Sequence, residues 1–385
     1  MKLFKLILSL LLLLNLTGCG SKIELDKLTF IFGLYIDAGA EPGTVEVSIS
    51  SPLPNRLHSS IQAGSGGGIS HSVMSKTAAS ITEAVILIQK DLSRRLEISH
   101  IKVVVLGKEY ARQGIDEALD WFKRQPEIPL GTYVMMAPGK AKEITRLSAI
   151  YEQLPDQMLM NFSEENLMYA TTVRDCLLAE SSNMGYAMNY LSFGQKSEVA
   201  EDGKPAYWAG IQGVALFQNA KLRSTLPIKE SRALAWAGGN LAGHLALPEY
   251  IVKWDEEGAG EATAMFLSNK SSISAELTEE GPVFYVKLKG NASITNFKDS
   301  RGRNSIDLSR VIKEKLQEAV VKDVSGSLRD SQKAGVDVLQ LGMRVEWNYP
   351  GEWKKLRERW EDYYAHEAQI KVTAAFKIQD FGSSK

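Results

Sequence analysis

The chain has 385 residues, with 45 Lys and Arg against 46 Asp and Glu, a formal charge of −1 and two cysteines. That length predicts two or three domains at roughly 100–200 residues each, and 44% hydrophobic with 24% charged residues is globular composition, which argues against wholesale disorder and a polytopic membrane protein. Near-neutral charge removes the field of a dedicated nucleic-acid binder, and two cysteines cannot build a disulfide framework or a four-cysteine zinc site.

The chain opens with Lys2 and Lys5, then an apolar stretch from Leu6 to Leu16 broken only by Ser9 and Asn15. A helix over that stretch rises about 16 Å, far short of the roughly 30 Å hydrocarbon core, so residues 1–18 read as an export signal and not as a stable span. The stretch ends in Leu16-Thr17-Gly18-Cys19, which resembles a bacterial lipoprotein box. In that class the cysteine thiol is alkylated with diacylglycerol and the chain is cut before it, so Cys19 is expected as the lipidation site and the new N-terminus. Losing the signal leaves 43 basic against 46 acidic residues, a charge of −3. No later apolar run approaches the length of a span. With Cys19 lipidated, Cys176 has no partner and, beside Leu177 and Leu178, is expected as a small core residue.

Residues 19–200 are expected as an N-terminal α+β domain. Leu28, Phe30, Phe32, Leu34 and Ile36 alternate as one buried strand, and Val45, Val47 and Ile49 as a second. Pro52 to Ser70 is a Ser, Gly and Pro-rich loop. Met74, Ala78, Ile81, Val85, Ile88 and Leu92 recur at three and four, predicting an amphipathic helix. A strand at 101–106, a helix at 108–124 and a strand at 131–136 follow, then helical pattern at 140–151 and 164–180.

A small middle domain is expected over 201–268. Ala209 to Phe217 and Leu222 to Leu226 read as strands about an Asn219-Ala220 turn, followed by a helix ending at Gly238-Gly239. The C-terminal α+β domain, 269–385, has alternating strands at 273–277 and 284–288. A helix from Asp307 to Gly335 carries Leu308, Ile312, Leu316, Val320, Val324 and Leu328 on one face, and Trp353, Leu356, Trp360 and Tyr364 form a second stripe. The closing strand alternates Ile370, Val372, Ala374, Phe376 and Ile378 with polar residues. Two strands, two helices and a strand suit an antiparallel sheet packed with a long helix, so the fold class is α+β with three mixed domains.

Chemistry-bearing motifs are absent. Gly64-Ser65-Gly66-Gly67-Gly68 lacks the Lys and Ser/Thr of a nucleotide loop, and Ile69 and His71 stand where the dinucleotide spacing needs glycine. His58, His71, His100, His244 and His366 are scattered, and His366-Glu367 fails the zinc-protease pattern because Ile370 holds the second histidine position. His100 is expected to make a structural hydrogen bond, and Trp353 and Trp360 to pack as core. No catalytic, metal or cofactor-binding residue is assigned.

Three further stretches resemble the Ger(x)C family, the lipoprotein subunits of spore nutrient germinant receptors. They are Arg94 to Gly107 with the Gly114-Ile115 helix to Arg124, Gly213 to Phe217 with Lys221-Leu222 and Glu230-Ser231, and Asp337 to Gly342 with Pro350-Gly351-Glu352-Trp353, Trp360 and the Val372 strand. Such proteins often carry Trp-Asp after the lipidated cysteine, where this chain has Gly20-Ser21. The resemblance implies a non-enzymatic protein anchored by lipid on the outer face of the spore's inner membrane. It implies A-type and B-type integral membrane subunits as partners, and neither nucleic acid nor cofactor. Among the family's residues only Cys19 carries over with a defined role. The alternative is a lipid-anchored solute-binding protein of an uptake system, but the strand-strand-helix-helix-strand ending argues against its two similar lobes.

Overall fold

The computed structural model describes residues 24–53, 70–148, 152–165, 168–199, 205–241, 249–254 and 260–380. The expected signal at 1–18, Cys19, His58, the Gly64–Gly68 run and His244 lie outside these residues. The N-terminal half runs β1 (Leu28–Phe30), β2 (Gly33–Ala38), β3 (Val45–Pro52), β4 (His71–Ala78), α1 (Ile81–Lys90), β5 (Arg95–Glu97), β6 (Val103–Leu106), α2 (Lys108–Gln113), α3 (Asp116–Arg124) and β7 (Tyr133–Met136). It continues through α4 (Ala141–Ile144), α5 (Pro155–Glu164), α6 (Val173–Ser181), β8 (Tyr186–Val199), β9 (Pro205–Gln218) and β10 (Lys221–Pro227). The remainder is α7 (Ile228–Gly238), β11 (Glu249–Trp254), β12 (Gly260–Thr278), β13 (Gly281–Asp299), α8 (Ser305–Lys333), α9 (Leu341–Asn348), α10 (Pro350–Leu356), α11 (Trp360–His366) and β14 (Gln369–Asp380).

Eight strands form one sheet in the order β10-β9-β8-β7-β6-β2-β3-β4. Its middle, β8-β7-β6-β2, is parallel, and antiparallel pairings flank it on both sides. The central strands are apolar on both faces, as a sheet covered twice requires. Leu34, Ile36, Val104, Leu106, Val134 and Met136 face α1, α2, α3 and α6, while Tyr35, Val103, Val105 and Met135 face α4 and α5.

Four expected elements divide, one of them the helix of the Trp353–Tyr364 stripe, which a 3-10 turn at Arg357–Arg359 splits into α10 and α11. The strand from Leu28 to Ile36 splits after Phe30, because β1 pairs in parallel with β5 in a separate two-stranded sheet. The helix drawn from Met74 to Leu92 begins only at Ile81; Met74 and Ala78 lie on β4, paired to Ile49 and Val45 of β3. Ser80 starts that helix by accepting the Glu83 N–H on its side chain. The helix from 108 to 124 breaks at Gly114, whose φ of 129 ends α2.

The second sheet has the order β11-β12-β13-β14. β12 and β13 form a hairpin of two 19-residue strands about Glu279-Glu280. Pairing is antiparallel from β11 to β13, whereas β14 runs parallel to β13, with Val283 opposite Gln369. The helices after Asp299 carry the chain back to the end where β13 began, so β14 enters in the same direction. α8 lies against this sheet with Leu308, Ile312, Leu316, Val320, Val324 and Leu328 buried. Its cap is Asn304, one turn before the expected Asp307; the Asn304 side chain accepts from the N–H groups of Ile306 and Asp307. Gly335, at φ 68, ends the helix as expected. Trp236 of α7, Phe266 and Phe376 close the core, with ring centroids 4.7 Å apart for both Trp236–Phe266 and Phe266–Phe376. Residues read above as a middle unit contribute to both sheets: β9 and β10 extend the first, and β11 and β12 build the second.

Candidate functional site

The two sheet units meet where backbone turns of the first face the helices of the second. Asn183, just past α6, and the Asn219-Ala220 pair between β9 and β10 have φ of 54, 52 and 52, so these turns are left-handed. Two successive positive φ values match the twist of a tight hairpin; Asn219 tolerates that region readily, whereas Ala220 is held in it against its own preference. The Glu180 carboxylate accepts the Ala220 N–H at 2.7 Å and holds the turn down; burial raises that carboxyl. From the other unit comes Glu361 of α11, which accepts from Arg223 at 2.8 Å and from the Asn219 amide at 3.1 Å.

Beside this latch a cleft of about 630 Å³ opens, walled by Asn183 and Asn219 on one side and by Glu346, Arg357, Glu358 and Glu361 on the other. Trp353 and Trp360 also line it, packed edge to face at 5.3 Å. A second cleft of about 380 Å³ lies along the same junction, lined by Tyr169, Thr171, Asp175, Asn240, Gln340 and Arg344 among others. Within the second unit, Arg344 of α9 donates to the Ile273 carbonyl of β12 at 3.1 Å. Gly185 marks a close approach: a Cβ there would lie 2.6 Å from a Val336 methyl and 2.8 Å from the Asp337 backbone nitrogen.

Asp337 organises the helical side. Its carboxylate accepts the Gly342 N–H at 2.9 Å and the Trp360 indole N–H at 3.1 Å. Burial is the main influence on this group and pushes it up to about 6, against the hydrogen bonds that favour the charged form. Two other buried carboxylates are structural. Asp37 accepts from the N–H groups of Ala141 and Lys142 at 2.7 and 2.9 Å, and Asp156 accepts from the Tyr35 and Ser50 hydroxyls, both at 2.5 Å.

Trp353 and Trp360 are buried, as the stripe predicts, though both edge onto the first cleft. Cys176 is fully buried, and desolvation raises its thiol well above the ordinary range, so it is inert packing. His100 contacts its neighbour Ser99 at 3.0 Å and packs edge-on against Phe30. His71 bonds the Thr145 carbonyl at 3.1 Å, and His366 meets Asp362 at the same distance. Among the described residues no three His, Cys, Asp or Glu side chains converge as a metal site. What the junction offers is shape, amide and carboxylate hydrogen bonding and aromatic edges, the chemistry of recognition. Sequence reading anticipated the Asn219-Ala220 turn but not Asn183, Gln340, Glu361 or Arg344. Their signal is contact between residues far apart in the chain, which no local pattern carries.

Comparison with known proteins agrees with this architecture. Residues 21–191 match the spore germination protein N-terminal domain, and residues 212–382 match the family described as spore germination B3/GerAC like, C-terminal. Spore germination protein B3 of Bacillus subtilis (strain 168) is 24% identical, covering 97% of this chain and 96% of its own. Spore germination protein KC from the same organism is also 24% identical over 98% and 96%, and YndF is 26% identical over 97% and 96%. The crystal structure of the GerBC protein superposes with a TM-score of 0.57 at 20% identity, covering 93% of this chain and 100% of that one, which shows the shared fold. With both halves matched in order across nearly the whole described chain, this protein belongs to the Ger(x)C family of spore germination proteins.

Proposed function

We propose that this chain is a non-enzymatic, lipid-anchored subunit of a spore nutrient germinant receptor, required for germination in response to nutrients. The observation that carries this reading is the collinear match of both germination families over 21–191 and 212–382. The lipobox ending at Cys19 supports an anchor, and an anchored body of this kind stands on the outer face of the spore's inner membrane beside A-type and B-type integral subunits. Its work is physical coupling. A short tether holds the body at an effective concentration on the order of millimolar near membrane partners, so modest contacts suffice for assembly. The polar clefts between the sheet units, with Trp347 69% exposed beside the residues of the larger one, supply contact surface for those partners.

Deletion of the gene is the direct test. Germination triggered by the cognate nutrient is expected to fail, while a trigger that bypasses receptors still works. An unaltered nutrient response in a strain lacking paralogues overturns the receptor reading.

A further inference from the structure

Glu24, the first described residue, follows Cys19 by five positions, and an extended chain spans at most about 3.6 Å per residue, so Glu24 stays within about 18 Å of the anchor. That is little more than twice the Debye length of about 8 Å at physiological ionic strength. The surface around Glu24 to Phe30 is therefore held close to lipid headgroups, an inference that rests on the Cys19 anchor proposed above.

That surface gathers basic side chains. Lys27 precedes β1, and the β1–β5 register sets Leu28 opposite Arg95, so Lys27, Arg94 and Arg95 share one edge. The Gln89 side chain donates to the Arg94 carbonyl at 3.0 Å and accepts the Leu96 N–H at 2.8 Å, which joins the C-terminal end of α1 to the same edge. Exposed Lys90 ends that helix, and Ile86, one turn earlier, is 51% exposed. Leu25 beside the tether is 73% exposed. Among the described residues Lys90, Arg94 and Arg95 form no ion pair, and Lys27 has only a 3.9 Å contact with exposed Glu24. The carboxylates beside it are Glu24, exposed Asp26, Asp91, which is paired with Lys76 at 2.6 Å, and Glu97, which accepts the Ser99 N–H at 3.1 Å and also feels Arg95; with Lys76 included the face holds five basic side chains against these four.

The mature body carries a charge of −3, so an anionic membrane repels it on average. A cationic face at the point of attachment reverses that locally and selects one orientation. We propose that the face formed by Lys27, Lys90, Arg94 and Arg95, with Leu25 and Ile86, sits on anionic lipid headgroups and sets the stance of the body on the membrane. Two signals, acyl chain and basic patch, hold a peripheral protein more firmly than one, and each contacting Lys or Arg adds attraction that salt weakens.

The test uses the lipidated chain in vesicles of phosphatidylcholine with or without phosphatidylglycerol, carrying a fluorophore on Ser93→Cys; Cys176 is buried and stays unlabelled. Quenching by a headgroup spin label is expected to be about twofold or more stronger with phosphatidylglycerol, and to lose that excess in high salt or in Lys27→Glu/Arg94→Glu/Arg95→Glu. Equal quenching on both lipids, or an unchanged variant, overturns the proposal and turns the face toward an acidic protein surface instead. Mass spectrometry of the N-terminal peptide reports the anchor separately. If it shows no diacylglycerol, the anchor reading fails, and flotation of the same chain decides the face alone. Association with phosphatidylglycerol vesicles that drops about tenfold in the triple variant supports it, and indifference to lipid charge overturns it.

Discussion

One carboxylate, Asp337, ties the link after α8 to α9 through Gly342 and to α11 through the Trp360 indole. In the unfolded chain it titrates near the ordinary value of about 3.9. Folded, it is pushed up to about 6, so the native state holds the proton more tightly. Its contribution to stability is full below pH 4, declines as pH rises through 6, and is flat above, a change on the order of 3 kcal/mol for a two-unit shift. Asp337→Asn keeps an acceptor for Trp360 and cannot titrate. The difference between wild-type and variant melting temperatures is therefore expected to change between pH 4 and 7 in the direction that favours wild type at the acid end. A constant difference across that range refutes the assignment. Asp37 and Asp156 are also raised by burial, so the comparison must be made as this difference. Among residues, the proposal of Cys19 as the anchor rests on the lipobox, a signal that is linear in the sequence. Asp337 was not legible there, because what distinguishes it from any other aspartate is its buried setting against Trp360.

Elements were legible where one periodicity met one surface. α8 and β14 each bury a single stripe against the same core, and their patterns survive in the structure. β4 misled because Met74 and Ala78 on a strand, followed by Ile81 on a helix, fall by coincidence at helical spacing, while the pairing with β3 that decides the matter is non-local. β8 was invisible because Asn189, Gly194 and Gln195 interrupt its alternation; its partners on both sides supply the stability. The junction between units depends on elements approaching closely, as they do at Gly185. Gly185→Val leaves no room beside Val336 and the Asp337 nitrogen, so it is expected to destabilise by about 1–3 kcal/mol in chemical denaturation. Gly43, with nothing within 4 Å of an added Cβ, marks the contrast: at φ 75 its constraint is backbone conformation rather than space.

At the scale of the whole molecule, the anchor and the body make separable claims. Cys19→Ala is expected to abolish lipid labelling and to lower the membrane-bound fraction, as measured by metabolic labelling and fractionation. Undiminished labelling of the variant removes the anchor assignment. The joining of 201–268 to both sheets was not readable from the sequence, since strand pairing ignores sequence proximity.

The parallel pairing of β14 with β13 also governs how the protein comes to be folded. Val283 and Gln369 are partners across roughly 85 residues, and closing so long a loop is an entropic cost that must be met before the contacts reward it. Until residues 369–380 are available, one hydrogen-bonding edge of β13 has no partner, and Phe376 is missing from the cluster around Trp236 and Phe266. The C-terminal sheet is therefore completed only once 369–380 is available, after the N-terminal sheet has all its strands, and its open edge is exposed to mispairing until then.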